Sequence, residues 1–302
     1  MIYLLLCILC TTSLIFIFKV YEQFKVHTFQ AIVINYLTCI VIGILMPDNK
    51  FDFSSDILTQ PWLYTAMLLG SIFIGTFYLI ALTTQQVGIT AASVATKISL
   101  VIPVLFSLLV LQNNLKDYTL LNYAGMAVAL VAIVLASVRP QEHASPTASG
   151  VLVMLLPFIV FLNSGIADVI INYTNHHFLK PDEAGLFTML TFTTSAVIGS
   201  LVLLYQIIFN KVPFAIRSIL AGVLLGIPNY FSIYFLIKAL SAFENDGAFL
   251  FPVNNIGIIL AGAAGAVLIF NEKLSKTNVA GIGLAVLALA LISYQEILTY
   301  LF

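Results

Sequence analysis

Lys97 is the residue whose setting most demands a chemical explanation. It lies in Ile89–Leu111, ITAASVATKISLVIPVLFSLLVL, a stretch long and apolar enough to cross a bilayer. A lone ammonium in hydrocarbon costs roughly 2.5–3.5 kcal/mol on insertion scales. Read as a helix, the stretch sets Lys97 about eight residues in, ~12 Å from its start. One reading has the aliphatic stem snorkelling towards the interface. The other has the ammonium meeting a carboxylate or phosphate of a substrate, or a titrating acid, with Thr96 and Ser99 adding polarity. Pro103 removes a backbone N–H and predicts a kink, leaving carbonyls that some other group must satisfy.

Further polar residues sit in similarly apolar surroundings. Asn254 and Asn255 follow Pro252 in AFLFPVNNIGIILAGAAGAVLIF. Adjacent amides point about 100° apart, so one faces a cavity or bonds a neighbouring helix. Asn229, Tyr230, Tyr234 and Lys238 occupy another apolar run. The last three, spaced by four, share a helix face that suits a cavity wall. A tyrosine at headgroup level with Lys238 snorkelling explains the lower part equally well. Tyr78, beside Phe77, takes the place related to Tyr234, and Asn35 and Tyr36 are weaker candidates. Asp168, in LNSGIADVIINY, is an acid within an apolar run and could couple transport to a proton gradient. A helix ending soon after it would instead leave it near the interface. Glu244 and Asp246 read as solvated turn residues. His176 and His177 read as surface loop residues, since adjacent histidines without cysteine or carboxylate partners do not make a zinc site.

The elements that must position these residues are set by composition. The chain is 61% hydrophobic and 8% charged, with a mean hydropathy of +1.08. Soluble domains carry about 25% charged residues, so this is an integral membrane protein. A net charge of −1 argues against a nucleic-acid partner and against a basic surface anchor. Cys7, Cys10 and Cys39 lie in apolar segments. Cys7-x-x-Cys10 has a redox spacing but no strand–helix context, and reads as small buried thiols. Residues 2–18 lack a basic n-region and a cleavage site, and are expected to stay as a helix. Ten apolar runs follow, at 2–18, 28–46, 61–83, 89–111, 119–138, 150–172, 184–209, 214–240, 247–270 and 277–298. The Pro-, Ser- and Ala-rich segment 139–149 is the natural linker between five-span halves at 1–138 and 150–302.

The halves look related. Sliding Tyr123–Ser137 onto Val279–Ser293 gives six identities in fifteen: Ala124/Ala280, Gly125/Gly281, Ala129/Ala285, Ala132/Ala288, Leu135/Leu291 and Ser137/Ser293. With a small loop shift Leu115 meets Leu274, and the proline-bearing fourth run, with Lys97, meets the ninth, with Asn254 and Asn255. An odd number of spans per half sets the copies in opposite orientations. Inverted repeats with interrupted helices point to secondary transporters. Gly125/Ala129 and Gly281/Ala285 form small-xxx-small patterns, which serve either packing within the chain or a homodimer interface.

Ten spans, a five-plus-five duplication and a short polar turn before the last span of each half resemble the drug/metabolite transporter superfamily, specifically its EamA-like members. Phe270-Asn271-Glu272-Lys273-Leu274-Ser275 is similar to that family's Gly-Glu-x-Leu turn, with Asn271 in place of glycine; Gln112-Asn113-Asn114-Leu115-Lys116 lacks the glutamate. The resemblance implies an all-α bundle of ten transmembrane helices as two inverted repeats, both termini cytoplasmic, around a central cavity. The charges lean the other way. With the N-terminus inside, inner connections hold Lys50, Lys116 and Lys180, with Lys238 near another. Outer connections hold Lys19, Lys25, Arg139, Lys211, Arg217, Lys273 and Lys276.

Three function classes compete. A secondary transporter of a small polar metabolite (an amino acid or other carboxylate-bearing compound) uses the buried lysine and the helix-breaking prolines. An intramembrane enzyme would show clustered catalytic groups, but there is no HExxH, no GxSxG and no histidine within a span. A receptor or scaffold needs none of these features. The expectation is therefore a non-enzymatic transporter without metal or cofactor. Its partners are a small-molecule substrate and the lipid bilayer. The compact chain points to a prokaryotic cytoplasmic membrane.

Overall fold

The computed structural model describes residues 2–45, 59–109, 119–137, 151–178, 184–242 and 247–301. Lys50, Lys116, Arg139, Lys180, Glu244, Asp246 and the 139–149 linker lie outside them. Of the described residues 89% are helical and none is in a strand. The helices are α1 Ile2–Gln23, α2 Thr28–Leu45, α3 Pro61–Gln86, α4 Ile89–Ile98, α5 Val101–Leu109, α6 Leu120–Ser137, α7 Val151–His177, α8 Ala184–Ile208, α9 Ile216–Ala242, α10 Gly247–Leu268, α11 Lys276–Ile292 and α12 Tyr294–Leu301. Among them α1, α2, α3, α7, α8 and α9 are long and apolar enough to cross a membrane. This is a membrane protein.

Three expectations need correcting. The run 89–111 is two helices, broken at Ser99–Leu100. The run 277–298 ends at Ile292, and a separate short helix follows. His176 and His177 belong to the last turn of α7, so Asp168 lies nine residues before that helix ends, not beside its end.

Lipid offers no water to satisfy backbone or hydroxyl groups, so polar side chains must bond within the helices. Thr38, Thr76, Thr83, Thr84, Thr174, Thr191 and Thr194 each donate to the carbonyl four residues earlier. Such hydroxyls add polarity at little cost.

The chain divides into two compact units, residues 1–19, 79–165 and 231–302, and residues 20–78 and 166–230. Each draws on both halves of the sequence. In the first, α6 and α11 pack antiparallel. Asn122 Nδ2 donates to Ile292 O at 2.8 Å and Leu291 O at 3.4 Å; Asn278 Nδ2 donates to Ala136 O at 3.1 Å and Leu135 O at 3.4 Å. Every partner in one set is 156 residues from its counterpart in the other (122/278, 135/291, 136/292). The caps recur as well. Asn122 Oδ1 accepts from the Thr119 amide and hydroxyl, and Asn278 Oδ1 from the Ser275 amide and hydroxyl. Gly125 and Gly281, also 156 apart, let the two backbones approach: a Cβ at either would strike the facing helix.

The second unit repeats the device with the same spacing. Ser195 Oγ on α8 donates to Gly70 O on α3 at 2.8 Å, and Cys39 Sγ on α2 to Gly226 O on α9 at 3.5 Å. A Cβ on Gly70 would meet Thr191 O at 2.5 Å and Thr194 Cβ at 2.7 Å; one on Gly226 would meet Asn35 O at 2.8 Å and Thr38 Cβ at 2.6 Å. Gly199 faces Ile74, and Gly43 faces Tyr230. Tyr36 and Phe192, themselves 156 apart, touch with ring centroids 5.8 Å apart.

The matched caps make a quantitative prediction. Asn122→Ala and Asn278→Ala each leave helix-end groups unbonded and should destabilise by similar amounts, about 1–3 kcal/mol. Gly283→Ala, which has nothing within 4 Å of the added carbon, should cost nothing. Melting temperatures of the purified variants in detergent check this.

Candidate functional site

The break between α4 and α5 follows from Pro103. A continuous helix would have residue 103 donate to Ser99 O, and proline has no N–H. Ile102 N donates to Ser99 O instead, at 2.9 Å. Ser99 Oγ donates to Thr96 O at 2.7 Å. Asn255 Nδ2, from α10, donates to Lys97 O at 3.4 Å. Three carbonyls around the break thus have named donors, one of them from a neighbouring helix. Asn255 bonds a helix, one of the two roles open to the asparagine pair. Asn254 beside it is buried, and its Oδ1 accepts no hydrogen bond. A buried acceptor left this way costs about 1–3 kcal/mol.

Lys97 is half-buried in the last turn of α4, where a cation is favoured by the helix dipole. Cys7 of α1 lies within electrostatic range of its ammonium, and the Cys7 thiol donates to Ser232 O at 3.3 Å. Thr90 and Ser93 are set seven and four residues before Lys97, on one face of α4. Both are buried, and their hydroxyls have no hydrogen-bond partner.

The other end of α4 is held by a residue whose role the sequence did not display. Gly88, the cap position, has φ +134° and makes no side-chain cap bond. Glu272, in the turn after α10, supplies the acceptor: its Oε1 takes the Ile89 N–H at 3.0 Å. A carboxylate at a helix N-terminus satisfies an orphan amide and favours the dipole. Asn271 before it has φ +52°, a left-handed position that suits asparagine as it would glycine. An α4 start without Ser, Thr, Asp or Asn was the available signal that a cap must come from elsewhere.

Lys97, Asn254, Asn255 and Tyr234 fall in the first unit. Tyr234 packs edge-on to Phe231 and Phe235, with Lys238 Nζ 5.4 Å from its ring centre. Asn229, Tyr230, Tyr78 and Asp168 fall in the second. There Asn229 Nδ2 donates to Asn35 Oδ1 at 3.1 Å and towards Cys39 Sγ at 3.5 Å. Tyr230 is buried against Gly43. Tyr78 is partly exposed and meets Phe29 edge-on at 6.0 Å. Asp168 is half-buried; its neighbour Ala167 belongs to the Trp62–Ala66–Leu69–Phe187 cluster. The structure therefore joins Lys97 to Asn255, and Asn229 to Asn35. Among the described residues no three His, Cys, Asp or Glu side chains gather to hold a metal.

No family profile matches the chain. A protein of Haemophilus influenzae, described as an uncharacterized protein, is 26% identical over 301 residues, covering 97% of this chain and 98% of that one. A solved structure, described as the crystal structure of a protein, matches with a TM-score of 0.57 over 97% of this chain and 96% of its own, at 16% identity. That likeness establishes a shared fold along nearly the whole chain.

The cap across to α4 is testable. Glu272→Ala should destabilise the protein by about 0.5–2 kcal/mol, the usual cost of losing an N-cap acceptor. Glu272→Gln keeps an acceptor and should recover most of that loss. Thermal melts of the three proteins give the answer.

Proposed function

We propose that this chain is a secondary transporter that moves a small polar metabolite across the membrane by alternating access. It resembles the EamA-like drug/metabolite transporters, and we read its fold as ten spans in two inverted repeats. The observation that carries the reading is the recurrence, 156 residues apart, of whole contact sets between helices of the two halves, antiparallel for α6 and α11 and parallel for α3 with α8 and α2 with α9. A two-fold relation between oppositely oriented copies produces that pattern, and inverted repeats are the usual scaffold of secondary transport. A cation beside a mid-span helix break supplies the second support, since interrupted backbone at membrane depth is kept where it serves a cavity or a ligand. Lys97 would bind an anionic group of the substrate, with Asn254 as a further contact. The scarcity of other cations favours one carboxylate over several phosphates. Tyr234, Tyr230, Asn229 and Tyr78 are the remaining binding candidates, and Asp168 the candidate for proton coupling. The bacterial relative is in keeping with a multi-pass protein of a cytoplasmic membrane.

The test is ligand-dependent thermal stability of the detergent-purified protein against pools of amino acids, organic acids, amines, sugar phosphates and nucleotide sugars. A ligand at about 100 times its Kd stabilises the folded state by ~2.7 kcal/mol, a readable shift in melting temperature. The reading expects a carboxylate-bearing pool to raise the melting temperature of the wild type and not of Lys97→Ala. A shift unchanged in Lys97→Ala removes that residue from the site. Silence from every pool counts against transport of these classes.

A further inference from the structure

The recurrence gives each polar residue of the second unit an internal control, because its counterpart 156 positions away does the same packing. Some polar positions there are matched in kind: Thr38 by Thr194, Cys39 by Ser195. Three buried ones around Cys39 are not. Asn35 corresponds to Thr191, whose hydroxyl is satisfied within its own helix at 2.9 Å. Tyr36 corresponds to Phe192, and Asn229 to Phe73. Packing of this kind is therefore achieved in the same molecule without two amides and a phenol.

Asn35 and Asn229 meet, Tyr36 lies within electrostatic range of the Cys39 that Asn229 also reaches, and two of the three, Asn35 and Tyr36, are left incompletely bonded. Asn35 and Tyr36 have no exposed surface, and Asn229 is 4% exposed. Asn229 Nδ2 is taken by Asn35 Oδ1, but Asn35 Nδ2 has no acceptor. The Tyr36 hydroxyl neighbours Ser195 but makes no hydrogen bond, and its ring is held by Phe77 and Phe192. Buried donors are almost always paired in folded proteins, so two orphans on consecutive residues of one helix point to a missing acceptor.

We propose that Asn35, Tyr36 and Asn229, with Cys39 at their edge, form a second polar site that water enters during the transport cycle and that takes a carbonyl or carboxylate oxygen of the transported molecule. The donors are uncharged, which suits a neutral or singly charged acceptor. The inference rests on the transporter reading, but its test needs no substrate.

Cys39 is the natural reporter. With Cys7→Ser and Cys10→Ser, it is the remaining thiol of the chain. The reagents are the anionic sulfonatoethyl and the cationic trimethylammonioethyl methanethiosulfonates, applied to the protein in membranes and read by intact mass. Cys39 should be modified in the folded protein, and about threefold faster by the anion once each rate is normalised to free cysteine. Exchanging the three residues for their counterparts (Asn35→Thr, Tyr36→Phe, Asn229→Phe) should leave the melting temperature undiminished and slow modification about tenfold. Modification that requires denaturation, or that favours the cation, overturns the site, and this wild-type arm decides even if the triple exchange does not fold. An unchanged rate in a folded triple exchange overturns it too. A thermal response to ligand without modification of Cys39 rejects this site and leaves the transporter reading; modification without any ligand response supports a water-accessible polar site and counts against transport of the classes screened.

Discussion

Close approach of helix backbones is the constraint on which the rest of this structure depends. In lipid there is no hydrophobic drive to bring one apolar helix to another, so contact must come from packing and from hydrogen bonds. Gly70 against Thr191 and Thr194, and Gly226 against Asn35 and Thr38, leave no room for even a methyl group. Each approach is fastened by one side chain on the facing helix, Ser195 or Cys39, donating to the glycine carbonyl. In the first unit Asn122 and Asn278 do the fastening between α6 and α11. Polar atoms here hold the scaffold because nothing else in hydrocarbon can do so directionally.

That economy makes the exceptions informative. Asn254 keeps a buried acceptor with nothing donating to it, and Asn35 keeps a donor with nothing accepting. Neither of these two atoms joins helices, although Asn35 Oδ1 takes Asn229 Nδ2 and Asn255 beside Asn254 donates to Lys97 O. At the α4–α5 break the same logic runs in reverse. A proline removes one donor, and the carbonyls it disturbs are met by Ile102, Ser99 and Asn255. The break is thus stabilised in place, with the Lys97 cation held in the turn before it and the Glu272 carboxylate at the far end of the short helix.

Much of this was legible in the sequence, but unevenly. Lys97 and Pro103 announced an interrupted helix because a cation and a missing N–H are both costly in lipid. The relation between 123–137 and 279–293 was visible through six identities. The equally regular relation of α2 and α3 to α8 and α9 was visible only at Tyr78 and Tyr234, since its other matches (Gly43/Gly199, Gly70/Gly226, Thr38/Thr194) are scattered through interchangeable aliphatic residues. Glu272 stood in a recognisable turn, but its partner Ile89 is 183 residues away, and no local pattern encodes that distance. The place of Asp168 was misjudged because Asn172, Tyr173, Asn175 and the histidines look like a loop. The helix continues through them to His177, where the Tyr173 carbonyl meets His177 Nδ1 at 3.1 Å.

The central claim is that two copies of one five-helix design lie in opposite orientations. Asp117 and Lys273 are 156 residues apart, each two positions before one of the paired caps Thr119 and Ser275. The most direct measurement places a single cysteine at one or the other, in a background with Cys7, Cys10 and Cys39 changed to serine, and labels intact cells or sealed vesicles with a membrane-impermeant maleimide. The account predicts that one position is labelled from outside and the other only after the membrane is opened. Labelling of both from the same side would contradict it.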